Sequence, residues 1–189
     1  MMMIVVYAAM AMARTGAVRG PSLAEVAART VTVCDEDRSE LAFGVARMQV
    51  TGMYARIGVT LVWHDTKRCP DGALRISFFH GNAARYPSEQ LGYALPYEGS
   101  QIVIFWERIE ATAPNGDAAQ LLAHVMAHEI GHVLEGTSRH SASGIMKAHW
   151  DKSDVRELCW KPMLFAEEDI LLIYSGVKER ESRPFASKD

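Results

Sequence analysis

Two residues four apart on an α-helix lie one turn from each other on the same face. His128 and His132 stand at that spacing in His128-Glu129-Ile130-Gly131-His132. The surrounding stretch, Asp117 to Glu135, reads as an amphipathic helix whose Leu121, Leu122, Val125, Met126, Val133 and Leu134 face a core. Two imidazoles so placed can share one zinc ion at about 2.0–2.1 Å. Glu129, the next residue round the helix, lies beside such an ion, where a carboxylate can take a proton from water. A chain built around this pattern must bury one side of the helix and open the other to a cleft. The chemistry implied is metal-assisted hydrolysis, most often of a peptide bond.

Three further signals frame the helix. Pro114-Asn115-Gly116-Asp117 is a stop and restart, with Asp117 as a good N-cap. Gly131 lets something large approach the backbone. Gly136 suits a left-handed stop after Glu135, turning the chain so that His140 can come back over the ion. His124 lies one turn before His128, about 12 Å from His132 by helix rise, so the three cannot share one ion. It reads as a packed or supporting residue.

The remaining chain suits a single domain. It has 189 residues, of which 49% are hydrophobic and 23% charged, enough for a sizeable core. Net charge is -3 with no dense basic run, so nothing points to nucleic acid. No apolar run is long enough to span a membrane. Met1 to Ala13 is short and apolar, with a small-residue site at Ala11-Met12-Ala13 but no Lys or Arg before the apolar run. It reads equally as a signal peptide for a secreted or periplasmic protein, or as a first core strand at Ile4 to Tyr7 in a cytoplasmic one. Residues 1–30 form this segment plus a linker into a short helix marked by Pro21 and Ser22, residues 31–177 the domain, and 178–189 a charged tail expected to fray. Cys34, Cys69 and Cys159 allow one disulfide or three thiols, and no C-x-x-C pair suggests a cysteine zinc site.

Within the domain, strands are expected at Val31–Val33, Val59–Trp63, Leu74–Phe79, Gly92–Pro96 and Gln101–Trp106. Pro96 suits an edge position. A helix is expected over Glu40–Ile57, with Leu41, Val45, Met48, Met53 and Ile57 as its apolar row, the methionines as core filler and Gly58 as its stop. Shorter helices are expected at Ser153–Leu158, capped by Ser153 or Lys152, and at Phe165–Tyr174, whose Glu167-Glu168-Asp169 start suits the positive helix end. The order argues for an α+β domain: a mixed sheet flanked by helices. His64 and Asp65 read as a strand-end polar pair, His149 as a surface residue, Trp150 as packing under the site. Tyr93 reads as a strand aromatic able to line the cleft.

The run from His128 to Gly136, then His140-Ser141, then Gly144-Ile145-Met146, resembles the metzincin clan of zinc peptidases. Over about Val31 to Trp150 the chain is similar to uncharacterised bacterial metzincin-like proteins that share a Gly-Tyr-Ala-Leu-Pro-like strand, the zinc helix, a His-Ser pair and a Gly-Ile-Met ending near a Trp. The resemblance implies a zincin-type domain and a zinc cofactor. It implies His128, His132 and His140 as ligands, Glu129 as general base and Met146 as the residue of a Met-turn. A peptide or protein substrate would then add as a strand along Gly92, Tyr93, Ala94 and Leu95. The spacing departs from the clan, because Glu135 and Ser138 stand where its Gly and third His belong. Asp151 and Asp154 are therefore rival third ligands. The cysteines that archaemetzincins place after their zinc motif are missing, so that family is not assigned. A zinc-stabilised binding protein on a peptidase scaffold is the competing function, and a fourth protein ligand closing the ion would mark it.

Overall fold

The structure, a computed structural model, describes residues 29–35, 41–81, 85–97, 99–113, 117–158 and 160–182. The expected leader, linker and short first helix lie outside these residues, as do Cys159 and the end of the tail. Five strands form one sheet: β1 (Thr30–Asp35), β2 (Thr60–Asp65), β3 (Leu74–Phe79), β4 (Gly92–Ala94) and β5 (Gln101–Phe105), in the order β2-β1-β3-β5-β4. The first four in that order run parallel, and β4 pairs antiparallel with β5 at the edge. The helices are α1 (Leu41–Arg56), α2 (Trp106–Thr112), α3 (Ala118–Glu135), α4 (Lys152–Glu157) and α5 (Glu167–Ser182). A mixed sheet with flanking helices is the fold class expected from the sequence.

The strands follow the alternation rule. In β3, Leu74, Ile76 and Phe78 turn inward while Arg75, Ser77 and Phe79 lie half-buried. In β5, Ile102 and Ile104 are fully buried. α1 departs from the expected face. Its buried row is Phe43, Ala46, Val50, Met53 and Tyr54, whereas Leu41 and Met48 are 82% and 67% exposed. The helix carries apolar residues on two sides, and the side with the aromatic rings faces α3, with Tyr54 donating to the Ala127 carbonyl at 2.9 Å. α2 is a helix the sequence pattern did not suggest, beginning at Trp106 where β5 stops. The expected cap of α4 is corrected too. Asp151, not Ser153 or Lys152, is the cap, and Asp154 completes a reciprocal capping box. The first part of the expected tail is helical, because α5 continues through Ser182 and Arg180 donates to the Gly99 and Gly72 carbonyls.

α3 is the centre of the molecule. It packs against α1, α5, β4 and β5. The contact with α5 is unusually close, since a Cβ on Gly176 would fall 1.6 Å from the Leu134 carbonyl oxygen. No rotamer change relieves a clash with main chain. Gly176→Ala is expected to cost roughly 3 kcal/mol or more, at the upper end of overpacking effects. A thermal melt should fall by about 6–12 °C for a domain of this size; an unchanged melt would show that the helices separate freely.

Candidate metal centre

Helix α3 ends as its sequence dictates. Gly136 takes φ +66°, a left-handed conformation that costs glycine little, and its N–H caps the His132 carbonyl. Asp117 occupies the N-cap position, but its side chain makes no capping hydrogen bond, contrary to expectation. Past Gly136 the chain doubles back. Thr137 offers its carbonyl to His132 Nδ1 at 3.0 Å, and Ile145 offers its own to His128 Nδ1 at 2.7 Å. A carbonyl only accepts, so each Nδ1 carries the hydrogen and each Nε2 is left with a lone pair.

Those lone pairs converge. His128 Nε2 lies 3.0 Å from His132 Nε2, which lies 3.2 Å from His140 Nε2, and the three residues form a group able to hold a metal ion. With Nδ1 committed on His128 and His132, their Nε2 atoms cannot hydrogen-bond each other, and two facing lone pairs repel. A shared cation removes the conflict. Nitrogens held tetrahedrally at zinc's bond length sit about 3.3 Å apart, close to the separations here. Burial pushes the His128 imidazole down to about 3 and His132 down to about 4, with neighbouring imidazoles adding to the effect. Burial and the Arg139 charge lower His140 as well. Neutral imidazoles are the form that binds metal.

Glu129 is 6% exposed beside this group. Burial pushes its carboxyl up to about 8, opposed by a hydrogen bond from the Ala94 N–H. That bond follows from the β4 register. Leu91 and Leu95 bond across to Phe105 and Gln101, so the intervening peptide groups of Gly92 and Ala94 point to the free edge. A cleft of about 700 Å³ opens between this edge and the histidines, lined by Gly92, Tyr93, Ala94, Glu129 and Trp150 among others. Tyr93 stacks on Tyr86 with ring centroids 5.3 Å apart.

Met146 is fully buried, and a Cβ on Gly131 would sit 2.5 Å from its sulfur. The large group for which Gly131 makes room is therefore Met146. Trp150 meets the His124 and His128 rings edge-on. His124 is a packed residue: its Nδ1 donates to the Gln120 carbonyl at 2.8 Å and its Nε2 accepts from the Met163 N–H at 3.2 Å. The rival carboxylates lie outside the histidine group. Asp151 caps α4, and Asp154 bonds Lys147 Nζ at 2.5 Å. His149 is exposed at the cleft, 3.8 Å from Glu89. His64 and Asp65 end β2, the opposite edge of the sheet from β4, and Asp65 caps the short turn that follows. The residue that sequence reasoning undervalued is Asp169, fully buried and bonded to the segment carrying His140.

No protein-family model matches the sequence, and no curated protein matches it. Among solved structures, the chain is similar to archaemetzincin from Methanopyrus kandleri, with a TM-score of 0.54 and 10% identity over 79% of this chain and 95% of that one. The fold is an archaemetzincin-like zincin. At that identity the likeness speaks to the fold alone.

Proposed function

We propose that the protein is a zinc-dependent peptidase with His128, His132 and His140 as ligands, Glu129 as general base and Met146 as the Met-turn residue. The observation that carries the reading is Glu129, a buried carboxyl held by the Ala94 N–H that lines the same open cleft as the three converging histidines. When bound there, zinc supplies Lewis acidity, which acidifies water and polarises a carbonyl. A substrate strand pairs with the outward peptide group of Gly92 and with the Ala94 carbonyl, the Ala94 N–H being held by Glu129, which sets the scissile bond in line with Glu129. The Glu129 carboxylate takes a proton from the attacking water and passes it to the departing amine nitrogen.

A binding protein with a purely structural ion would fill the fourth position from its own chain. Among the described residues, no fourth His, Cys, Asp or Glu joins the three histidines, which favours catalysis. No helix among them is long and apolar enough to cross a membrane. Export is also proposed, supported by a Cys34–Cys69 disulfide and by the apolar start of the chain.

Purified protein is expected to carry about one zinc per chain, as a three-histidine site does, and to cleave members of a peptide library in a chelator-sensitive manner. Elemental analysis and cleavage are read on one sample. A zinc-replete preparation that holds no metal, or a zinc-loaded one that cleaves nothing, would overturn the assignment.

A further inference from the structure

The three histidines are not held alike. His128 and His132 are each fixed by a carbonyl on Nδ1. His140 is solvent-exposed, and among the described residues its Nδ1 has no hydrogen-bond partner. Its orientation must be set through its backbone, and both of its neighbours are tied down. Arg139 Nη2 donates to Asp169 Oδ1 at 2.7 Å. Ser141 Oγ donates to the same oxygen. Asp169 Oδ2 accepts from the Ala166 N–H at 3.1 Å, which fixes the carboxylate at the first turn of α5. The Ser141 N–H adds a bond to the Met146 carbonyl at 2.8 Å.

A fully buried carboxylate is a costly way to hold two segments together, since apolar packing does so without desolvating a charge. What a carboxylate adds is direction. Here one oxygen serves the residues immediately before and after the third histidine.

We propose that Asp169 is the positioning residue for His140, holding it where its Nε2 meets those of His128 and His132. This rests on the zinc reading above. It explains how a histidine that arrives two residues later than the usual clan spacing still reaches the group. Arg139 and Ser141 gather the extra chain onto α5, so the longer turn does not swing free.

The test is zinc affinity of the full chain, measured by competition with a chromophoric chelator, in a double-mutant cycle. Asp169→Asn is expected to weaken zinc binding about 10–100-fold, the usual cost of losing an outer partner. His140→Ala should weaken it further. In the His140→Ala background, Asp169→Asn should change affinity less than about twofold, because the histidine through which it acts is gone. Cobalt-loaded Asp169→Asn should show a visible spectrum shifted toward that of His140→Ala. If Asp169→Asn prevents folding, Ser141→Ala removes one of the two ties, with about 3–10-fold weaker binding expected and again no added effect beside His140→Ala. Unchanged affinity and cobalt spectrum in the Asp169 or Ser141 variant would overturn the proposal. So would an equal loss in both backgrounds, which marks a merely structural role. Wild-type protein that binds no zinc would overturn the peptidase reading and this one together, a result distinct from either of those.

Discussion

Glu129→Gln keeps the metal and loses hydrolysis. Glutamine has the same shape and retains a carbonyl oxygen to accept the Ala94 N–H, so the wall of the cleft stays in place. It cannot take a proton. Losing a positioned general base typically removes about 10²–10⁴ in rate, or roughly 3–5 kcal/mol of transition-state stabilisation. Zinc content should be unchanged, because Glu129 is not one of the three residues whose nitrogens converge. The measurement is kcat/KM on the best library peptide beside elemental zinc on the same preparation. A variant that cleaves as fast as the parent would remove Glu129 from the chemistry, whatever the metal does.

Breaking the Cys34–Cys69 disulfide should give the largest stability loss. The bond joins the end of β1 to the loop after β2, across a sequence separation of 35 residues, with Cα atoms 5.7 Å apart. β1 and β2 are parallel neighbours with Cys34 in register with His64, so their ends already lie side by side and the bond fits the sheet. Closing a loop of that length restricts the unfolded chain by about 4 kcal/mol in the chain-entropy account. For a domain of this size that corresponds to about 8–15 °C in Tm. Calorimetry with and without reductant, and on a Cys34→Ala/Cys69→Ala variant, reads it. A melt indifferent to both would show that the two sulfurs are not joined in the folded protein.

Much of this was legible in the residues, for identifiable reasons. α3 and its glycine stop are local patterns: an apolar face of constant period, then a residue that alone tolerates φ +66°. β3 alternates without exception and lies where its pattern places it. The face of α1 was not legible, because Leu41 and Met48 offer an apolar row as regular as the one that is buried. Only the arrival of Phe78 and Trp106 against Phe43, and of α3 against Tyr54, decides between them. Asp169 was readable as a helix-start acid, and it does accept the Ala166 N–H. Its bonds to Arg139 and Ser141 span about thirty residues and exist only once α5 has docked. The cysteine pairing depends likewise on β1 and β2 being parallel neighbours.

The bare patch at Gly176, where α5 rests on the Leu134 carbonyl, bears on how the cleft is walled. Main chain sits against main chain there, so α3 and α5 form one block with no side chain between them at that point. The looped chain between them, which bears His140 and Met146, has both ends anchored in that block. The opposite bank is built differently: β4 is three residues long, and its approach through Tyr86 and Gln90 is held by Arg108 reaching their carbonyls. One wall of the cleft thus rests on helix against helix, the other on the reach of a single arginine.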